Sequence, residues 1–378
     1  MKEHILITGG AGFIGVNLVN ALIEKGYSIT VLDSLLQQVH GENPAENSVL
    51  YNSIKNKVQF IHGCITNEQL LKEAIQKANI IVHFAAETGT GQSMYEIERY
   101  THVNIQGTAL LLQLLANEQH NVKKVVVASS RAIYGEGKYY SKTKGVVYPN
   151  LRSNTELKKG NFAVEYEGDF NLQVVATDEN SKIHPTSVYG ITKQVQEQLI
   201  MTVCPTIGIA PVALRYQNVY GPGQSLSNPY TGILSIFSTR IRTGHSINIF
   251  EDGTESRDFV YIDDVIDATV KAIENSNANG EVFNVGSGVS TSVENVLLLL
   301  MEKMQTKVPY TISGNYRLGD IRHCFADVQK INSLLGFIPK VSFEEGVQKL
   351  VHWVNQQNTF VDLYEKSLDE MRTKKMLQ

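Results

Sequence analysis

The chain has 378 residues, 42% apolar and 19% charged, ordinary values for a folded protein that exclude a disordered, collagen-like or coiled-coil chain. Its formal charge of −4 lacks the basic excess of a nucleic-acid binder, and its three cysteines are too scattered for a disulfide framework or a paired metal site. No apolar run approaches the roughly eighteen residues of a membrane span, and the start carries no signal-peptide pattern, so a reducing cytoplasm is the expected compartment.

Short β-branched and apolar runs recur at 5–7, 29–32, 58–61, 80–84, 125–128, 212–214 and 282–285. Between most of them lie stretches of helical period at 14–25, 68–76, 103–116 and 188–203. This alternation predicts a doubly wound α/β unit: a parallel Rossmann sheet covered by helices on both faces. The interval 136–183 breaks the rhythm. It is polar, and its one alternating run is 162–166, which marks an inserted lid or interface element, with no cysteine to build a zinc site. After Pro222 the pattern mixes helices at 233–242 and 292–303 with short strands at 247–250 and 308–312, predicting a smaller α+β substrate domain. The expected division is 1–220 with 260–290 for the Rossmann domain, and 221–259 with 291–378 for the second.

Chemistry enters at the first turn. Thr8-Gly9-Gly10-Ala11-Gly12-Phe13-Ile14-Gly15 follows the first strand and opens an amphipathic helix. Glycines let backbone approach a pyrophosphate, and the helix N-terminus offers N–H donors and positive dipole to it. The second strand ends in Asp33, placed to accept hydrogen bonds from both hydroxyls of an adenosine ribose. That carboxylate would repel a 2′-phosphate and no Arg follows to neutralise one, so NAD is expected rather than NADP.

Tyr189-Gly190-Ile191-Thr192-Lys193 puts a phenol and an ammonium on one helix face. A neighbouring cation favours phenolate, which would make Tyr189 a usable base. Upstream, the strand 125–130 ends in Ser130, at the carboxyl edge of the sheet where ligands bind.

With these three features in this order, the chain resembles the extended short-chain dehydrogenase/reductase superfamily, in its nucleotide-sugar branch. Further matches are His83-Phe84-Ala85-Ala86, Asn104 in Val103-Asn104-Ile105-Gln106-Gly107-Thr108, the segment 215–222 and Ser256-Arg257-Asp258-Phe259. The resemblance implies Ser130, Tyr189 and Lys193 as the catalytic set. It implies cofactor contacts from Gly9, Gly12, Phe13, Ile14, Gly15, Asp33, Ile65, Ala85, Ala86, Asn104, Tyr189 and Lys193. Asn218, Arg257 and Arg317 would hold the sugar-nucleotide diphosphate, since planar guanidiniums suit that anion. Many relatives carry Gly-Asp-Ile where this chain has Gly63-Cys64-Ile65, so the adenine contact must come from elsewhere.

Members that dehydrate sugars place Asp and Glu directly after the active-site hydroxyl. Here those positions hold Arg131 and Ala132, which removes the acid and base of elimination, counts more weakly against a sugar-acid decarboxylase, and by the resemblance points to 4-epimerisation, the alternative being an epimerase or oxidoreductase acting on a UDP- or GDP-sugar. Segments 85–95, 129–137 and 223–232 look like the dTDP-L-rhamnose 4-epimerase group. By that resemblance Thr88, Gln92 and Arg131 would face the hexose beside Ser130, Phe250 would flank the base, and helices beside the sheet would pair in a homodimer.

Overall fold

The computed structural model describes residues 2–230, 232–357 and 361–378. Seven parallel strands form its central sheet: β1 (His4–Thr8), β2 (Ser28–Asp33), β3 (Gln59–His62), β4 (Ile80–His83), β5 (Lys124–Ser130), β6 (Ala210–Tyr216) and β7 (Val282–Val285). Their spatial order is β3-β2-β1-β4-β5-β6-β7, so the winding reverses direction beside β1, where β1 pairs with both β2 and β4. This is a Rossmann-type α/β fold, and all seven strands coincide with the predicted runs.

The strands read as continuous apolar runs because both faces are covered. On β1, Ile5 and Ile7 pack into one apolar cluster with Val31 and Val82, while Leu6 packs into the opposite cluster with Leu32 and Ile81. Helices α1 (Phe13–Glu24), α2 (Gly107–Asn117), α3 (Val188–Thr206) and α4 (Ile262–Glu274) flank the sheet. The stretch predicted as one helix over 103–116 is two elements, a π-helical turn Thr101–Gln106 running into α2.

The second region carries smaller sheets. Asn218–Tyr220 pairs with Ser256–Tyr261, which also pairs with Ser290–Ser292 and His323–Cys324; Ile247–Ile249 pairs with Tyr310–Ile312. The interval 136–183 contains a three-stranded antiparallel sheet of Tyr139–Ser141, Gly145–Val147 and Leu172–Val174. The alternating stretch 162–166 is not one of its strands. Phe162 and Val164 are buried and Ala163 and Glu165 exposed, so the period-two pattern records side-chain packing without a paired ladder. No helix among the described residues is long and apolar enough to cross a membrane.

Candidate active site

Two cavities open at the carboxyl edge of the sheet. The first, of about 360 Å³, is lined by Gly9, Gly12, Phe13, Ile14, Gly15, Asp33, Ile65, Ala85 and Ala86, and reaches Ser130, Tyr189 and Lys193. The glycine turn is tight: a Cβ on Gly9 would lie 2.7 Å from the Ala85 nitrogen, and its φ of +70° favours glycine. Helix α1 starts at Gly12 with no side-chain cap, leaving its first N–H groups to the cavity. Asp33 accepts from the backbone N–H of Ala11 at 2.9 Å and of Leu35 at 2.8 Å, one bond per oxygen, so the carboxylate keeps further acceptor capacity. An uncapped helix start, an acceptor at the second strand end and a cavity between them fit a dinucleotide.

Cys64 is absent from this wall; its sulfur accepts from the Thr66 hydroxyl at 3.2 Å. The wall near the ends of β2 and β3 is formed by Leu36, Val39, His40, Gly63 and Ile65. Asn104 also lies behind the wall, fully buried. Its side chain accepts from Glu87 N–H at 2.7 Å and donates to the Glu87 carbonyl and the Thr192 hydroxyl, holding the loop before Thr88 against α3.

Helix α3 delivers the Tyr/Lys pair. Ser187 caps it by accepting from Gly190 N–H at 3.1 Å, and Tyr189 N–H donates to the Ser93 hydroxyl at 3.0 Å. A Cβ on Gly190 would meet the Ala132 carbonyl at 2.7 Å, so only glycine lets α3 approach the turn after Ser130 this closely. Burial raises the pKa of the Tyr189 phenol, opposed by the Ser130 hydroxyl and by Arg131. Burial brings Lys193 down to about 7, against the pull of Glu197.

The Lys193 ammonium donates to the Gln196 carbonyl oxygen at 2.7 Å, and the Gln196 amide donates to the Thr108 hydroxyl at 2.9 Å. His83 joins this chain through Thr8 and Thr108, and burial holds it neutral with a pKa of about 3. Thus the strand-end His83 orients the partner of Lys193 from inside the fold.

The second cavity, of about 370 Å³, lies over the smaller sheets and meets the first at Thr88, Ser130, Tyr189, Gln217, Val219 and Gln224. Arg131, Asn218, Phe250, Arg257 and Arg317 also line it. Arg257 is fixed by donating to the carbonyls of Ser256, Ile321 and Arg322 at 2.7–2.9 Å. Arg317 is paired with Asp320 at 2.7 Å and lies 5.4 Å over the Phe250 ring. Arg131 is bound by no carboxylate or carbonyl among the described residues, and burial beside Arg257 lowers its pKa to about 10. Three guanidiniums on one cavity wall define an anion site.

Gln92 falls outside both cavities. It is buried against Gln38 and the Tyr100 hydroxyl, because residues 90–93 form a helical turn that leaves Thr88, Gly89, Thr90 and Gly91 on the wall. Thr231, in the segment 223–232, lies outside the described residues.

Sequence reasoning missed Gln217, Glu255 and Tyr364 on the substrate side. Among the described residues, both amide atoms of Gln217 and Oε2 of Glu255 are buried without a partner, and burial raises the Glu255 pKa to about 7. Gln217 sits inside the segment 215–222, one residue before Asn218, and Glu255 directly precedes the segment 256–259, two residues before Arg257. Tyr364 has no such neighbour.

The inserted segment reaches this cavity through Arg152. Its guanidinium makes two bonds to Glu251, at 2.7 and 2.8 Å, and a third to the Asp320 carbonyl at 3.0 Å. Glu251 and Asp320 both line the cavity, so the insertion buttresses the substrate side.

A Rossmann sheet, a dinucleotide cavity and a Ser/Tyr/Lys set facing an anion site define an NAD-dependent enzyme. The chain belongs to the NAD dependent epimerase/dehydratase family, whose model matches residues 5–155 and 165–286. It is 35% identical over 359 residues to the dTDP-L-rhamnose 4-epimerase of Burkholderia thailandensis, covering 94% of this chain and 96% of that one. Among solved structures it is similar to the UDP-glucuronic acid 4-epimerase of Bacillus cereus, in complex with UDP-glucuronic acid and NAD, with a TM-score of 0.75 and 27% identity. It is also similar to the UDP-glucose 4-epimerase of Thermotoga maritima, with UDP-glucose, at a TM-score of 0.74 and 30% identity. Each likeness covers 93% of this chain and 99% of the other.

Proposed function

We propose that the protein is a nucleotide-sugar 4-epimerase that interconverts dTDP-L-rhamnose and dTDP-6-deoxy-L-talose. The observation that carries the reaction is the meeting of a dinucleotide cavity and an anion-lined cavity at Ser130 and Tyr189, with Arg131 and Ala132 beside them in place of an acid–base pair. The substrate rests on the segments 85–95, 129–137 and 223–232 and on the 35% identity to the Burkholderia enzyme.

Held by the glycine turn, Asp33 and Ile65, NAD would supply the hydride acceptor and donor for C4 of the sugar. The protein does the rest. Tyr189 accepts the C4 hydroxyl proton and later returns it, while the Ser130 hydroxyl orients the same oxygen. Lys193 places positive charge behind the phenol, and Gln196 holds the ammonium in position. Arg257 and Arg317 anchor the diphosphate, so the sugar can turn while its nucleotide stays bound. In this division the Rossmann domain holds the cofactor and the smaller domain the nucleotide.

The test is isotopic. Hydride that leaves and returns within one bound cofactor never meets solvent, so product formed in deuterated water should carry no carbon-bound deuterium. Substrate deuterated at C4 should keep its label with inverted configuration. Solvent deuterium at carbon would refute the mechanism; turnover of UDP-glucose or UDP-glucuronic acid in place of dTDP-L-rhamnose would refute the substrate and spare the mechanism.

A further inference from the structure

The last described segment, 361–378, lies beyond the family match, which ends at residue 286, and it touches the loops of the substrate cavity at Gly91, Tyr230, Phe250 and Arg317. Helix α5 (Tyr364–Thr373) buries Leu368 and Met371, which cluster with Leu377, Tyr95, Phe250 and Tyr364. Met371 reaches the loop at Gly91, where an added Cβ would lie 3.6 Å from its sulfur. Glu370 accepts from the Tyr230 hydroxyl. At its start the segment is tied down by Asp362, paired with Arg240 at 3.3 Å and His245 at 2.6 Å.

Its end pairs with the stretch that carries Arg317, through an isolated antiparallel bridge between Arg317 and Leu377. Tyr316 N–H donates to the Gln378 carbonyl at 2.9 Å, Gln378 N–H to the Tyr316 carbonyl at 3.1 Å, and Leu318 N–H to the Met376 carbonyl at 3.1 Å. Arg317 is thereby gripped on both sides by backbone bonds. Among the described residues, no hydrogen bond or ion pair joins 361–378 to the wall of the cofactor cavity.

Tyr364 is the residue of this segment that lines the substrate cavity, on the same wall as Ile249 and Phe250. Its ring is held from behind by the Arg240 guanidinium at 4.6 Å. Asn248 Oδ1, also on this wall, is buried without a partner among the described residues and can accept from a ligand N–H. Two aromatic side chains, a free amide oxygen and the Arg317 cation together match a planar pyrimidine base followed by phosphate.

We infer that residues 361–378 are a built-in part of the nucleotide site, in which Tyr364 contacts the pyrimidine base and the terminal residues hold Arg317 toward the diphosphate. Tyr364 is a substrate-contact residue, and Leu377 and Gln378 are positioning residues. The inference rests on the nucleotide-sugar reading, so the experiment separates the two. Binding of dTDP, UDP and NAD to the full-length wild type is measured by calorimetry, beside Tyr364→Ala, Tyr364→Phe and a chain ending at residue 357.

Tyr364→Ala should weaken binding of the pyrimidine diphosphate at least about tenfold, the size of one lost base–aromatic contact, with NAD affinity unchanged. Tyr364→Phe keeps the ring and should bind within about threefold of wild type. The shortened chain should lose diphosphate binding more severely and still bind NAD; should it fail to fold, the Tyr364 pair decides alone. In turnover, Tyr364→Ala should raise KM and leave kcat near its wild-type value. If the wild type binds a pyrimidine diphosphate and Tyr364→Ala binds it equally well, the inference is overturned and the epimerase reading stands. If the wild type binds neither dTDP nor UDP, both fall together.

Discussion

The two cavities are built in opposite ways. The cofactor cavity is assembled from ends of adjacent strands: the turn after β1, Asp33 at the end of β2, Ile65 after β3 and Ala85 after β4. The substrate cavity gathers residues 88–91, 130–131, 217–230, 232–237, 248–259, 317–321 and 364, over half the chain apart, and rests on side-chain ion pairs such as Arg152–Glu251. A cavity set by backbone topology tolerates change in side chains around it. One set by long-range pairs can be retuned for another sugar without disturbing the sheet. That difference explains how relatives of one fold carry UDP-glucose, UDP-glucuronic acid and dTDP-L-rhamnose in their names.

The sharpest test removes a residue that lies where the two cavities meet. Tyr189→Phe should lower turnover by about 10²–10⁴-fold, the range for a lost proton-transfer group, while NAD and dTDP affinities stay near wild type. Retention of more than about a tenth of the activity would move the base elsewhere.

The comparison itself breaks or holds on a pair of variants. Asp33→Asn loses charge-assisted ribose bonds and should weaken NAD by about 10–100-fold, narrow the preference over NADP, and leave dTDP binding intact. Arg152→Met should do the reverse, raising KM for the nucleotide sugar with NAD titration unchanged. Breaking a buried pair costs roughly 3–5 kcal/mol when the partner is stranded. Here Arg322 still faces Glu251 at 2.8 Å, so the stability loss should fall below that range. Equal loss of both ligands in either variant would mean that the cavities are not independent.

The smallest effect is on stability without ligand. Lys193 has a folded pKa of about 7, below the unfolded value of about 10.4. Between these values the unfolded chain binds more protons, so this group makes stability rise with pH through that window. Below about pH 7 both states carry the proton and the burial penalty is full. Lys193→Met should therefore melt above wild type near pH 6, with the difference shrinking toward pH 10; a pH-independent difference would contradict the buried, depressed ammonium.

What the sequence determined by itself is local and periodic. Strand runs, the glycine turn and the four-residue spacing of Tyr189 and Lys193 are properties of neighbouring residues, so the sheet and the meeting of Ser130, Tyr189 and Lys193 at its carboxyl edge were legible in the sequence. Gln92 and Asn104 show the limit of motif position. A helical turn rotated Gln92 into the core, and Asn104 faces the loop behind the cavity rather than the cavity. The split of 103–116 into a π turn and α2 was equally invisible, since both share an apolar face. Only the tertiary structure decided the substrate side. Arg152 meets Glu251 across 99 residues, and the terminal residues 376–378 pair with 316–318, and no local period encodes which distant segments come together. Those contacts depend on how the smaller sheets pack over the carboxyl edge, where burial makes each unpaired charge or amide costly and so selects its partner from anywhere in the chain.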